Sequence, residues 1–253
     1  MASLHLSVED LDLHVVKMGL DVHPPVVIGE ERTRLHIFAD EAREALPHLY
    51  DKVVESNTEF TISGTFKGKA QAGSPSAVVP TFAMTNRGPC FVFPLRLPAP
   101  IGTTDLDAEE WLLAFDTVRK LFFSSLPGRD CIRIGLVREL GFRTGTTPCT
   151  ELLTTKTSLG EAKLVGGQKL LGYRDERCNV RISIEPRELA IETTLAVGTK
   201  VTQPAGYGLQ VTLDVNNHEL RVLTDTDIDE ILERASSFWP DVLIDYLNTI
   251  GAP

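Results

Sequence analysis

The stretch Cys178-Asn179-Val180-Arg181-Ile182-Ser183-Ile184-Glu185 alternates without a break: Cys178, Val180, Ile182 and Ile184 fall on one side, Asn179, Arg181, Ser183 and Glu185 on the other. Successive side chains of a strand point to opposite faces, so this pattern predicts a strand buried on one face only. Pro186 and Arg187 are expected to reverse the chain. Leu189, Ile191, Leu195 and Val197, then Leu209, Val211, Leu213 and Val215, repeat the period of two. One-faced strands of this kind belong to antiparallel sheets with one dry and one wet face.

Downstream of these strands, Ile228, Ile231, Leu232, Ala235, Phe238, Trp239, Val242, Leu243, Leu247 and Ile250 recur at helical spacing over about six turns. Pro240 should bend this helix or divide it. Asp225, Asp227 and Asp229 have the opening spacing of a calcium loop, but Glu230 and Ser236 stand where that loop needs Gly and a bidentate Glu. Thr224 or Asp225 as an N-cap, followed by first-turn acids, accounts for the same residues.

The first half carries a blurred version of the same order. After an opening with no clear period, Arg32 to Phe38 reads as a short strand and Ala39 to Glu55 as a helix through Ala42, Leu46, Leu49 and Val53, with Pro47 kinking or restarting it. Strands are expected at Phe60–Phe66, Val78–Met84 and Cys90–Leu97. A helix announced by Thr104, Asp105 and Asp107 then bears Trp111, Phe115, Val118 and Phe122 on one stripe and closes at Pro127 and Gly128. Ile132, Ile134, Leu136, Leu140 and Phe142 alternate through a long strand ending near Gly145, and the pattern weakens from Thr146 to Arg177. Together these predict an α+β fold of two similar units, each an antiparallel sheet with a long amphipathic helix, over residues 1–145 and 146–253. An internal duplication and a single continuous domain are both open on this reading.

The chain has 253 residues and a net charge of −10, with 42% hydrophobic and 24% charged residues. That is ordinary globular usage, with no stretch apolar enough to cross a bilayer. The acidity argues against general nucleic-acid binding, which needs Lys and Arg against phosphates. Residues 1–13 lack the basic and apolar regions of a secretory signal, so a cytoplasmic location is expected. Cys90, Cys131, Cys149 and Cys178 are too far apart for a zinc knuckle or redox dithiol, and five histidines between His5 and His48 form no ligand pair, so neither a metal nor a cofactor is predicted. Gly64–Gly73 contains a Gly-Lys pair without the opening Gly or the Ser/Thr of a phosphate loop, and reads as a hairpin turn. There is no GxSxG elbow, and the reading leans away from an enzyme.

Arg138 falls on the same alternation face as Ile134, Leu136, Leu140 and Phe142, where an unpaired charge is costly. A bulge turning it outward, a carboxylate partner, or a cavity receiving an anion would each resolve this. Arg133, Arg143, Arg174, Arg177 and Arg181 are candidates for a cationic stripe on the wet face; Arg133, Arg138 and Arg181 are the candidate contacts to an anionic small molecule. Phe238, Trp239 and Val242 are candidate interface residues on the terminal helix.

The segment Ile132-Arg133-Ile134-Gly135-Leu136-Val137-Arg138-Glu139-Leu140, after a Trp- and Phe-bearing helix and before an acidic entry into a terminal helix, resembles a sporadically distributed, uncharacterised bacterial family. Its members carry an Arg-Ile-Gly-Leu-Arg-Tyr-Ile-Asn type of strand. Arg133, Ile134, Gly135 and Leu136 match it, whereas Val137, Glu139 and Leu140 depart. The resemblance implies a two-part α+β fold and no catalytic assignment. Three functions are expected in order: a non-catalytic interaction or scaffold protein that self-associates or binds a protein partner; a small-molecule binder or enzyme with a pocket around Arg138; and an acidic partner neutralising a basic protein.

Overall fold

The computed structural model describes residues 5–56, 58–64, 79–85, 87–95, 97, 110–145, 167–194 and 200–250. After a 3-10 turn at Val8–Asp10, the elements are β1 (Leu11–His23), α1 (Ile28–Ala45), β2 (Lys52–Glu55), β3 (Phe60–Ser63), β4 (Thr81–Met84), β5 (Pro89–Pro94) and α2 (Glu110–Ser125), then β6 (Asp130–Gly145), β7 (Lys169–Arg174), β8 (Cys178–Thr194), β9 (Lys200–Asn217), α3 (Asp225–Ser237) and α4 (Asp241–Ile250).

Among the described residues the strands form a 9-stranded sheet in the order β2-β3-β4-β5-β1-β6-β9-β8-β7, every neighbouring pair antiparallel. The long strands β1 and β6 pair at the centre, and the last strand of each meander returns to one of them, β5 to β1 and β9 to β6. The sheet therefore runs without interruption across residue 145.

One row on its buried face reads Phe93, Val16, Arg138, Leu213, Ile182, Leu171 across β5, β1, β6, β9, β8 and β7. The helices cover this face. Phe38 of α1 meets Phe82 at 4.6 Å between ring centroids, Phe115 of α2 meets Phe91 at 5.2 Å, and Trp239, between α3 and α4, meets Phe142 at 6.4 Å. The other face carries Lys17 paired with Glu139, and Thr212 beside Ser183. The α2 stripe is as predicted: Trp111, Phe115, Val118 and Phe122 are all fully buried. Pro240 does divide the terminal helix, and Thr224 is the N-cap of α3, its hydroxyl accepting from Asp227 N at 3.2 Å.

Four expectations need correction. The strand at Arg32–Phe38 and the helix at Ala39–Glu55 are replaced by α1, which buries Leu35, Phe38, Ala39 and Ala42. Arg32, Arg34 and His36 alternate with Thr33, Leu35 and Ile37, so a short window reads with period two while the longer one has the helical period. The helix stops before Pro47, because a residue preceding proline is pushed out of the α region, and Leu46 lies at φ −130°, ψ 59°. Val53 belongs to β2.

The unassigned opening contains β1, whose His14, Val16, Met18, Leu20 and Val22 alternate on the helix face. Pro186 and Arg187 do not reverse the chain: β8 runs straight through them, pairing Pro186 with Leu209 and Arg187 with Gly208. The pairing of β7 ends at Ile184, so among the described residues no strand flanks Pro186 on that side, where proline is tolerated. Within the weak Thr146–Arg177 region, Lys169–Arg174 forms the edge strand β7. Phe66, Val78, Thr104, Asp105, Asp107, Leu195 and Val197, and most of the Gly64–Gly73 loop, lie outside the described residues.

Candidate binding cleft at the C-terminal sheet edge

At the β7 edge the sheet and the terminal helices diverge and leave a cleft of about 330 Å³. Its floor is Val180, Ile182 and Leu213 from the dry face of β8 and β9, and its roof is Phe238, Val242, Leu243 and Tyr246. The alternation that opened the sequence reading supplies the floor. The roof follows from the helical period, which puts Phe238, Val242 and Tyr246 four residues apart around the α3–α4 break.

The rim is held by polar contacts. Asp175, in the turn between β7 and β8, accepts from Arg177 N at 2.9 Å and Cys178 N at 2.6 Å, which fixes the hairpin. Its other oxygen accepts from Arg234 Nε at 2.9 Å, and the Arg234 guanidinium lies 4.7 Å from the Phe238 ring centroid. Partial burial opposes ionisation of Asp175, but these hydrogen bonds outweigh it and hold the carboxyl below its ordinary range. Across the mouth, Tyr173 OH donates to Tyr246 OH at 3.1 Å, and burial together with that bond pushes the Tyr246 phenol up to about 12. The mouth is open: Val242 is 54% and Tyr173 49% exposed.

Of the candidate interface residues, Phe238 and Val242 line this cleft. Trp239 turns inward, stacking on His14 at 5.1 Å as well as on Phe142. Sequence reasoning missed Tyr173, Asp175, Arg234 and Tyr246; an Asp opening the turn after an apolar Leu-Leu-Gly-Tyr run was the available signal.

Arg138 is on the buried face, 3% exposed, so no bulge turns it outward. Among the described residues no carboxylate pairs with it. Its Nη1 lies 3.2 Å from His14 Nε2, and its guanidinium 5.4 Å from the Trp111 ring centroid. An arginine only donates, so His14 accepts through Nε2 and is neutral. Burial first, then the charge of Arg138, pull the His14 pKa down to about 3, and burial pulls Arg138 to about 10. Arg138 sits one strand inward of Leu213, behind the cleft wall, and does not line it.

Arg133 and Arg181 are on the opposite, helix-free face, so the three candidate anion contacts are not brought together. There Arg133 donates to Asn216 at 3.1 Å, Asn179 donates to Asn216 at 3.4 Å, and Arg174 donates to Asn179 at 2.8 Å, a ladder across β6, β9, β8 and β7. Arg143 pairs with Asp12 at 3.5 Å and Arg177 with Glu230.

The acids of the failed calcium loop are engaged by arginines: Asp225 and Asp229 by Arg119, and Asp227 by Arg221. Among the described residues no group of three or more His, Cys, Asp or Glu side chains is placed to hold a metal ion. No described helix is long and apolar enough to cross a membrane.

Fold and cleft together define an α+β chain with an open antiparallel sheet and a solvent-facing apolar cleft beside one sheet edge. No protein-family model matches the chain, and no curated protein does.

Proposed function

We propose that this is a non-catalytic interaction protein whose working surface is the cleft and the adjoining β7 edge. The observation that carries this reading is the coincidence of a preformed apolar cleft with a terminal strand that no other described strand pairs on its outer side. Tyr173 and Val242 stand exposed at the cleft mouth and Leu170 on the far face of β7, and exposed apolar groups gathered at one place mark contact surfaces. A sheet edge is a template for another chain.

The same reading takes the two halves as a duplication, with α1 and β2 of the first half lacking a counterpart among the described elements of the second. In each half a long strand at the sheet centre is rejoined by the last strand of a meander, and the strand-strand-strand-helix order of β3, β4, β5, α2 recurs in β7, β8, β9, α3. It also places the protein in the cytoplasm, in keeping with the free thiols of Cys90, Cys131 and Cys178.

Photo-crosslinking tests the interaction reading. A photoreactive side chain placed at Val242, and separately at the exposed Ile37 of α1, is irradiated in the native host. A discrete protein adduct is expected from Val242 and not from Ile37. Identical patterns from both sites, or a small molecule as the sole adduct, overturn the proposal.

A further inference from the structure

We infer that the β7 edge accepts an extended partner segment in which apolar and acidic residues alternate, added to the sheet as a tenth strand. This rests on the interaction reading above and specifies its partner. An added strand places alternate side chains on the two faces of the sheet. On the helix side of β7 stand Leu171 and Tyr173, register partners of Ile182 and Val180, and beyond them the cleft with Val242 and Tyr246. Apolar side chains of the partner belong there.

The other face differs in charge. Arg174, on β7, and Arg181, on β8, are exposed on the helix-free face; among the described residues neither forms an ion pair, although Asp214 stands in register with Arg181. Leu170, four residues before Arg174 on the same face of β7, is also exposed, and Gly172 between them stands in register with Arg181. This is a local cationic strip in a chain of net charge −10, and it calls for acidic side chains from an incoming strand. Alternation of the two demands gives the pattern. A second copy is a poor occupant, since antiparallel pairing of β7 with itself about Gly172 sets Arg174 opposite Leu170 and supplies neither arginine with a carboxylate.

The probe is a capped seven-residue peptide alternating glutamate with valine or phenylalanine, titrated into the full chain; its counterpart has lysine for every glutamate. Amide hydrogen exchange is followed along β7. The acidic peptide is expected to bind, to slow every second β7 amide (the outward-pointing set), and to weaken with salt. Val242→Glu and Arg174→Glu should each lower its affinity about tenfold while leaving the melting temperature near that of the parent.

Equal binding of the lysine peptide overturns the charge assignment. Binding without protection of alternate β7 amides overturns strand addition. Protection of the whole β7 strand before any peptide is added shows the edge to be occupied already, by the chain itself or a second copy, and also overturns it. If neither peptide binds while Val242 still crosslinks to a protein, this inference fails and the interaction reading survives; loss of both removes both.

Discussion

Arg119 Nη1 donates to Asp225 Oδ1 at 2.5 Å, joining the middle of α2 to the first residue of α3. The two groups lie in different surroundings: the Arg119 side chain is 4% exposed, that of Asp225 82%. Arg119 also donates to Asp116 at 2.7 Å and lies 3.9 Å from Asp229. A buried cation is thus neutralised by carboxylates that reach it from water, and it couples the helix layer of the first half to that of the second.

That asymmetry orders a set of variants. Removing the arginine as Arg119→Met leaves acids that water still solvates, and should cost about 1.5–3 kcal/mol, the worth of charged hydrogen bonds. Removing the acids as Asp116→Asn with Asp225→Asn and Asp229→Asn strands a buried cation and should cost more, about 3–5 kcal/mol. Urea denaturation of both variants checks the order; the reverse order would show that Arg119 is better hydrated than its burial indicates.

His14 predicts an early loss of stability in acid. Its folded pKa, about 3, lies below the ordinary 6.5, so between those values the unfolded chain binds the extra proton. Stability is then fully present above pH 6.5 and falls as the pH drops from there toward 3, by up to about 1.4 kcal/mol per pH unit. The carboxylates add a second decline below about pH 4. The hydrogen bond from Arg129 lowers Glu31, and in Asp116 the bonds from Lys120 and Arg119 outweigh the opposing burial. His14→Gln can still accept from Arg138 without titrating, so it should flatten the slope between pH 6.5 and 4.5 and leave the lower decline. Thermal melts across that range decide; an unchanged slope means His14 is not the group.

Gly88 packs against the centre of the sheet. It adopts φ +152° in the β4–β5 turn, and a Cβ there would stand 2.1 Å from Leu20 O. Gly88→Ala should therefore lose about 2–4 kcal/mol. Gly128, at φ +79°, has no atom within 4 Å of a built Cβ, so Gly128→Ala carries only the left-handed strain of about 1–2 kcal/mol. Equal losses in a denaturation series would contradict the close approach at Leu20.

Val242 and Leu243 are neighbours in sequence with opposite roles. Val242 is 54% exposed at the cleft mouth, while Leu243 is 2% exposed against the sheet. Leu243→Ala should cost about 2–5 kcal/mol, whereas Val242→Ser should stay within about 0.5 kcal/mol. A large loss at Val242 would make the cleft mouth part of the core and weaken its assignment as a contact surface.

What the sequence determined was whatever depends on a side-chain period within one element. The alternation of Ile134, Leu136, Arg138 and Leu140 placed Arg138 on the dry face, the Trp111–Phe122 spacing located α2, Pro240 divided the last helix, and Thr224 capped α3. Each is local: a strand or helix buries one side, and proline or a capping hydroxyl acts on its own turn. Tertiary structure alone decided the rest. Pro186 stays within a strand because it pairs with Leu209 of β9 while no described strand flanks its other side, and the seven residues Arg32 to Phe38 are helical because the longer stripe through Leu35, Phe38, Ala39 and Ala42 finds the sheet to cover it. Arg138 is matched by His14 and Trp111, from elements distant in sequence, and the cleft lies where β7 and α4, joined at Tyr173 and Tyr246, meet across the sheet. Such outcomes depend on which surfaces meet across the sheet, and no period along a single segment records that.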